Sequence, residues 1–319
     1  MALFMLRRVV QALVVLLLVT MITFALLRAI PGNVAVAIMG PGVYRDPGAI
    51  KLFDDTYGFN KPWYSQYLLW LSHLARGDLG YSWNLNQSVA SLISQRLPKS
   101  VFLVGSSVIL ALIIAIPIGL IQAVRRNKFA DHFFNGTSTL FYAMPSFLLG
   151  IALIWLFAIK IPIFPAEGPQ GEGLGPVFSN LNAMVLPVAT LTLLTVALFS
   201  RYMRSSVLDN ITEDYVRTAK AKGAGQRRIL YRHVLRNSLI PIATLLGLAL
   251  PGILGGALIV EAVFNYPGMG LLFYQQAQKQ DYPTLLGITV LVALATVIGS
   301  LLADIAYAVL DPRVRYVKS

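Results

Sequence analysis

The stretch VFLVGSSVILALIIAIPIGLIQAV, residues 101–124, contains no charged side chain. A bilayer core about 30 Å thick requires roughly 20 mostly apolar residues at about 1.5 Å of rise each, and this run meets that length. Backbone N–H and C=O groups in hydrocarbon must be satisfied within the segment itself, which leaves a helix as the available structure. Residues 101–124 therefore read as a membrane-spanning helix.

Similar runs lie on either side, at 9–27, 133–159, 183–200, 237–260 and 284–310, and only the last holds a charge, Asp304. The whole chain agrees, with 56% apolar residues, 13% charged residues and a mean hydropathy of +0.68, a composition foreign to soluble domains. The expected fold class is all-α, a polytopic membrane protein of six transmembrane helices. The first run is read as an uncut anchor, because Arg28 is followed by Ala29-Ile30-Pro31 and no small-residue cleavage site follows it. Its division is 1–30 for the N-terminal segment and first span, 31–97 for an outer loop, and 98–319 for a core of five spans that includes a cytoplasmic loop at 201–236.

Orientation follows from the basic residues. Seventeen of the 26 fall in 7–8, 125–128, 201–236 and 313–318, which alternate with the spans so as to share one side. The short loops weigh most in the positive-inside rule, so both termini are expected in the cytoplasm. The same clustering accounts for the net charge of +12 without nucleic acid. Absence of cysteine excludes disulfide braces and thiol chemistry. His73 is placed outside, and His132 and His233 inside, so no imidazole lines a span for an intramembrane protease, and no metal site is expected.

Two loops have helical character. In the outer one, Trp63, Tyr67, Trp70, Leu71 and Leu74 recur at helical spacing, which suits an amphipathic helix at headgroup level or one packed on the outer ends of the spans. In the cytoplasmic one, Thr212 is expected to cap a helix that begins with Glu213 and Asp214 and is stopped by Gly223 after Lys220 and Lys222. A second helix after Gly225 carries an apolar stripe of Ile229, Leu230, His233 and Val234. That stripe is expected to lie against the bundle and leave the first helix free. The segment 161–182, rich in proline and glycine, reads as a loop.

The cytoplasmic run Glu213-Asp214-Tyr215-Val216-Arg217-Thr218-Ala219-Lys220-Ala221-Lys222-Gly223, followed by His233-Val234-Leu235-Arg236-Asn237-Ser238-Leu239-Ile240-Pro241, resembles the corresponding loop of binding-protein-dependent ABC importer permeases. The dipeptide/oligopeptide/nickel branch is the most similar. Further matches are Tyr57-Gly58-Phe59-Asn60-Lys61-Pro62, Arg76-Gly77-Asp78-Leu79-Gly80, Pro145-Ser146-Phe147-Leu148-Leu149-Gly150, Glu261-Ala262-Val263-Phe264-Asn265-Tyr266-Pro267-Gly268-Met269-Gly270 and Asp311-Pro312-Arg313. Where the general permease loop reads Glu-Ala-Ala, three residues, then Gly, this chain has Arg217-Thr218-Ala219 before Gly223.

The resemblance implies the type I importer permease fold and a non-catalytic subunit in the cytoplasmic membrane of a bacterium or archaeon, one that imports di- or oligopeptides. Its implied partners are a second homologous permease, two ATP-binding subunits that hold the ATP and magnesium, an extracytoplasmic binding protein and membrane lipid. No cofactor is implied on this chain, in line with the absence of a glycine-lysine pair and hence of a phosphate loop. ATPase coupling would fall to Glu213, Asp214, Tyr215, Arg217, Thr218, Ala219, Ala221, Lys222 and Gly223, where small residues permit close approach of a partner. Glu261, Tyr266, Gly268 and Asp304 are candidates for a gate or pathway. Glu261 equally suits a holder of 266–270 or an interfacial anchor, and Asp304 suits a near-interface carboxylate paired with arginine. Nickel chelates or another small solute are the alternative cargo. A secondary transporter is the remaining rival, against which stand spans almost free of charge at their centres.

Overall fold

The structure is a computed structural model that describes residues 2–29, 46–82 and 84–310, except for the side chains of 2–9, 12, 53, 56, 57, 248, 250, 254 and 303–310. The matched segment Asp311-Pro312-Arg313 lies outside the described residues. Helix α1 (Ala2–Ala29) is followed by two shorter helices, α2 (Pro47–Tyr57) and α3 (Trp63–Leu74), and by an antiparallel ribbon of β1 (Tyr81–Ser82) and β2 (Gln87–Ser88). Next come α4 (Val89–Val124), α5 (Phe129–Ala143), α6 (Ser146–Lys160), the short α7 (Gly175–Ser179) and α8 (Val185–Ile211). Two helices of the 201–236 loop region, α9 (Asp214–Ala221) and α10 (226–238), precede α11 (Ile240–Gly255), α12 (Leu258–Val263), α13 (Met269–Gln278) and α14 (Tyr282–Leu310). The all-α class and the apolar spans agree with the sequence.

The expected run 133–159 is not one straight helix. The axes of α5 and α6 meet at 103°. Pro145 has no N–H to donate and pushes the preceding residue out of the helical region, and Met144 accordingly adopts ψ 126°. Span two begins at Val89, twelve residues before its apolar run, because Ser88 caps the helix by accepting from the Ser91 amide and polar residues continue it. Span four likewise continues past Ser200 to Ile211, which places Arg201 and Arg204 on a helix instead of in a loop.

The most extensive packing joins α4 to α8, and α11 to α14 comes next. Close approach of α4 and α8 requires Gly119, since a Cβ there would stand 2.6 Å from Met203 Cβ and 2.8 Å from the Ser200 carbonyl. Tyr67 of α3 is buried against Phe24 and Leu286, and its hydroxyl lies 3.0 Å from Thr20 Oγ1. Trp63, Tyr64, Leu68 and Leu69 on the other face are exposed. Helix α3 thus packs on the spans and also presents an apolar face. The ribbon is clipped to the start of α14 by a hydrogen bond from Ser82 Oγ to Asp281, which also accepts from Thr284 Oγ1 at 3.1 Å.

Candidate functional site

Helix α9 is short, and its ends are secured by neighbouring backbone. At its C-terminus the Gly223 amide donates to the Lys220 carbonyl at 2.9 Å and the Ala224 amide to the Ala219 carbonyl at 3.1 Å. This paired closure needs a left-handed residue, and Gly223 has φ +77°. The expected stop is therefore present. The N-terminal expectation needs correction: Thr212 donates its hydroxyl to the Asp209 carbonyl and closes α8, while Glu213 takes the cap position with no side-chain bond. The peptide between them turns sharply enough that Thr212 belongs to the outgoing helix.

Helix α9 is not free of the bundle either. Val216 and Ala219 are buried with Leu120, Met203, Val207, Ile229 and Val234, so α9 and α10 share one cluster. Tyr215 donates to Asn210 Oδ1 at 2.7 Å, and burial raises the pKa of its phenol above the usual tyrosine value. Ala219, expected on the partner-facing side, faces inward at 9% exposure. Opposite it, Asp214, Arg217, Thr218 and Ala221 form an exposed stripe at i, i+3, i+4 and i+7, with Glu213, Lys222 and Gly223 exposed at its ends. Such a stripe suits a helix seated in a groove. The Arg217–Asp214 pair at 3.5 Å is a surface contact worth little by itself.

The second group of candidates converges where α4, α12 and α13 meet. Glu261 on α12 is fully buried and accepts from Ser100 Oγ at 2.7 Å, from the Leu271 amide at 3.0 Å and from the Ala257 amide at 3.2 Å. Ser100 in turn accepts from the Met269 amide at 2.7 Å. The first turn of α13, whose amides have no intrahelical acceptors, is thus capped from two distant elements, one by a carboxylate. Gly268 is required for space: a Cβ would stand 2.5 Å from the Glu261 carboxylate. Tyr266 is also buried, donates to the Lys99 carbonyl at 2.9 Å and stacks so close to Gly168 that a Cβ there would meet its ring at 2.8 Å.

Lys99 Nζ donates to the Gly171 and Pro169 carbonyls at 2.6 and 3.2 Å, so loop 161–182 is tied to α4 and to the 264–270 turn. Glu261, Tyr266 and Gly268 therefore come together as a closed brace that holds loop 161–182. Sequence reading missed Lys99, Ser100 and Gly168, whose neighbours here are far away along the chain. Asp304 lies on α14, and its side chain is outside the described part. No group of three His, Cys, Asp or Glu side chains suited to a metal occurs among the described residues.

The sequence was also compared with known proteins. Residues 115–316 match the family described as the binding-protein-dependent transport system inner membrane component, and residues 1–104 match the N-terminal part of such membrane components. The chain is 37% identical to the oligopeptide transport system permease protein AppB of Bacillus subtilis, over 99% of this chain and 100% of that one. It is 32% identical to the dipeptide transport system permease protein DppB of Alkalihalophilus pseudofirmus, over 97% and 98%. Identity to the glutathione transport system permease protein GsiC of Escherichia coli is 31%, over 98% and 99%.

Proposed function

The chain belongs to the binding-protein-dependent transport system inner membrane components, and from that premise we propose that it forms half of the route by which an ATP-driven importer takes up short peptides. It is a permease subunit of an ABC transporter, a membrane component and not the hydrolytic one. The proposed assembly adds a second homologous permease, two ATPases that carry the ATP and magnesium, and an extracytoplasmic binding protein. Both termini and helix α9 lie on the cytoplasmic side in this reading, as the basic turns support.

The observation that carries the proposal is the exposed stripe of Asp214, Arg217, Thr218 and Ala221 on a helix whose opposite face is fixed to α4 and α8. A rigid helix of this kind converts movement of a seated partner into movement of the spans behind it. Names of the relatives favour peptides as cargo. Deletion of the chain is expected to abolish uptake of labelled di- and tripeptides, and restoration of the chain to recover it. Unchanged peptide uptake with loss of nickel or another solute refutes the cargo. Uptake that follows a proton or sodium gradient in the absence of ATP refutes the class.

A further inference from the structure

Helix α3 does not close fully on the spans. Between it, the end of α1 and the start of α14 lies a cavity of about 340 Å³. Phe24, Leu27, Trp70 and Leu286, all buried or half-buried, give it an apolar floor, and Arg28 and Lys61 stand at its rim. Neither cation has an ion-pair partner among the described residues, and Asp54 acts on Arg28 only from beyond ion-pair distance. The Arg28 guanidinium carbon lies 4.6 Å from the centre of the Phe59 ring, a contact that fixes the group against one wall. The carboxylate at the cavity, Asp78, is already engaged, since it accepts from the Gly80 amide at 2.8 Å and pairs with His73 Nδ1 at 3.1 Å.

The position of the cavity along the spans decides what reaches it. Phe24 stands one turn before Arg28, where the apolar run of α1 ends, and Leu286 one turn after Tyr282, where α14 begins; the two side chains share one cluster. The cavity therefore sits at the adjoining ends of two apolar helices, the level at which a bilayer changes from acyl chains to headgroups. Apolar surface continues out of it. Leu69 both lines the cavity and is exposed, as are Leu68 beside it and Ile22 and Leu26 on α1. A ligand that meets both surfaces is an amphiphile, with an anionic head for the two cations and a chain for the floor and for Leu69.

We propose that this cavity binds an anionic phospholipid, whose phosphate is received by the Arg28 guanidinium and Lys61 Nζ and whose acyl chain lies on Leu27, Trp70 and Leu69. The lipid would join α1, α3 and α14 where they do not pack on one another. A soluble phosphate ester satisfies the cations and leaves the apolar floor uncovered, and a zwitterionic lipid brings its own cation to a site that already holds two. The site is independent of the cargo.

The test takes the complete importer, purified in detergent and depleted of lipid, and titrates it with phosphatidylglycerol, phosphatidylcholine or glycerol 3-phosphate while thermal unfolding is followed and retained lipid is counted by native mass spectrometry. Phosphatidylglycerol is expected to raise the unfolding temperature of the wild type, and the other two to leave it nearly unchanged. R28Q should weaken the response to phosphatidylglycerol about tenfold or more, the scale of one charged hydrogen bond, and should retain one lipid fewer per chain. R28K should keep most of the response. L69E, on an exposed position whose replacement removes no core packing, should also weaken it, because a carboxylate repels the head and interrupts the chain surface. Equal stabilisation by phosphatidylcholine overturns the proposal, since the cavity then takes any chain. Glycerol 3-phosphate that reproduces the shift overturns it in favour of a soluble anion. An undiminished response to phosphatidylglycerol in both R28Q and L69E places that lipid elsewhere, and absence of any response in the wild type leaves the cavity without this ligand; either result also overturns it.

Discussion

Replacement of Glu261 separates a structural brace from a moving gate. The carboxylate accepts from Ser100 and from the amides of Leu271 and Ala257, all within 3.2 Å, and is closed off from solvent. Glu261→Ala strands these three donors in a site too tight for easy repair. A buried donor left without an acceptor costs about 1–3 kcal/mol, so the loss should reach ~3–6 kcal/mol after allowance for the carboxylate's own desolvation. Glu261→Gln keeps the shape. Whichever way its amide turns, the NH2 faces at least one backbone N–H, and the loss should be about 1–3 kcal/mol. Thermal unfolding of the importer in nanodiscs, with peptide uptake measured on the same preparations, tests this order. Unfolding should shift in proportion, Ala more than Gln, and residual uptake at low temperature should track the folded fraction. Wild-type unfolding with abolished uptake for both variants would show a group that acts in the route and would refute the brace.

Ala221→Trp should leave unfolding unchanged but prevent co-purification of the ATPases, because Ala221 is on the exposed stripe of α9. Ala219→Trp should instead destabilise the chain by about 1–3 kcal/mol, since Ala219 packs into the shared cluster, and equal behaviour of the two variants in both assays would contradict the assignment of faces. Asp131→Ala and Arg204→Ala should each destabilise by about 3 kcal/mol, near the low end for buried pairs because Arg204 retains 28% exposure, and a double-mutant cycle that finds no coupling would remove the pair as a link between α5 and α8. Single cysteines at Glu172 and Tyr274 should label from outside intact cells, and those at Asn127 and Gln226 only after lysis; the reverse pattern would invert the orientation.

Span centres were legible because hydropathy reports which residues can face lipid. Helix ends were not, because helix continuation depends on backbone hydrogen bonding and not on apolarity. Arg201 and Arg204 therefore fall on α8, although both lie beyond the apolar run that ends at Ser200. The break at Pro145 is local and was visible as a residue, but the 103° angle between α5 and α6, both of which pack on α8, is not written in any local pattern. The C-terminal stop of α9 was legible at Gly223, whereas the cap at Glu213 instead of Thr212 and the inward turn of Ala219 depended on the neighbouring helix end and on Leu120 and Met203 beneath it.

Glycine shows most clearly where the limit falls. Gly223 is required for its conformation: a helix that ends on basic residues and then reverses needs φ > 0, and nothing stands within 4 Å of the Cβ it lacks. That requirement is local, so a reader of the sequence can find it. Gly119 and Gly268 are required for space, and the atoms that demand it belong to Met203 on another helix and to a carboxylate held by Ser100. Neither position has a positive φ, and neither is marked by its immediate neighbours. The same distinction separates helix α9 from the brace around Glu261. Helix α9 is a local object whose stop at Gly223 could be read from the sequence, whereas which of its faces is exposed could not. The brace at Glu261 is assembled from segments dozens of residues or more apart, and acquires its chemistry only when the helices meet.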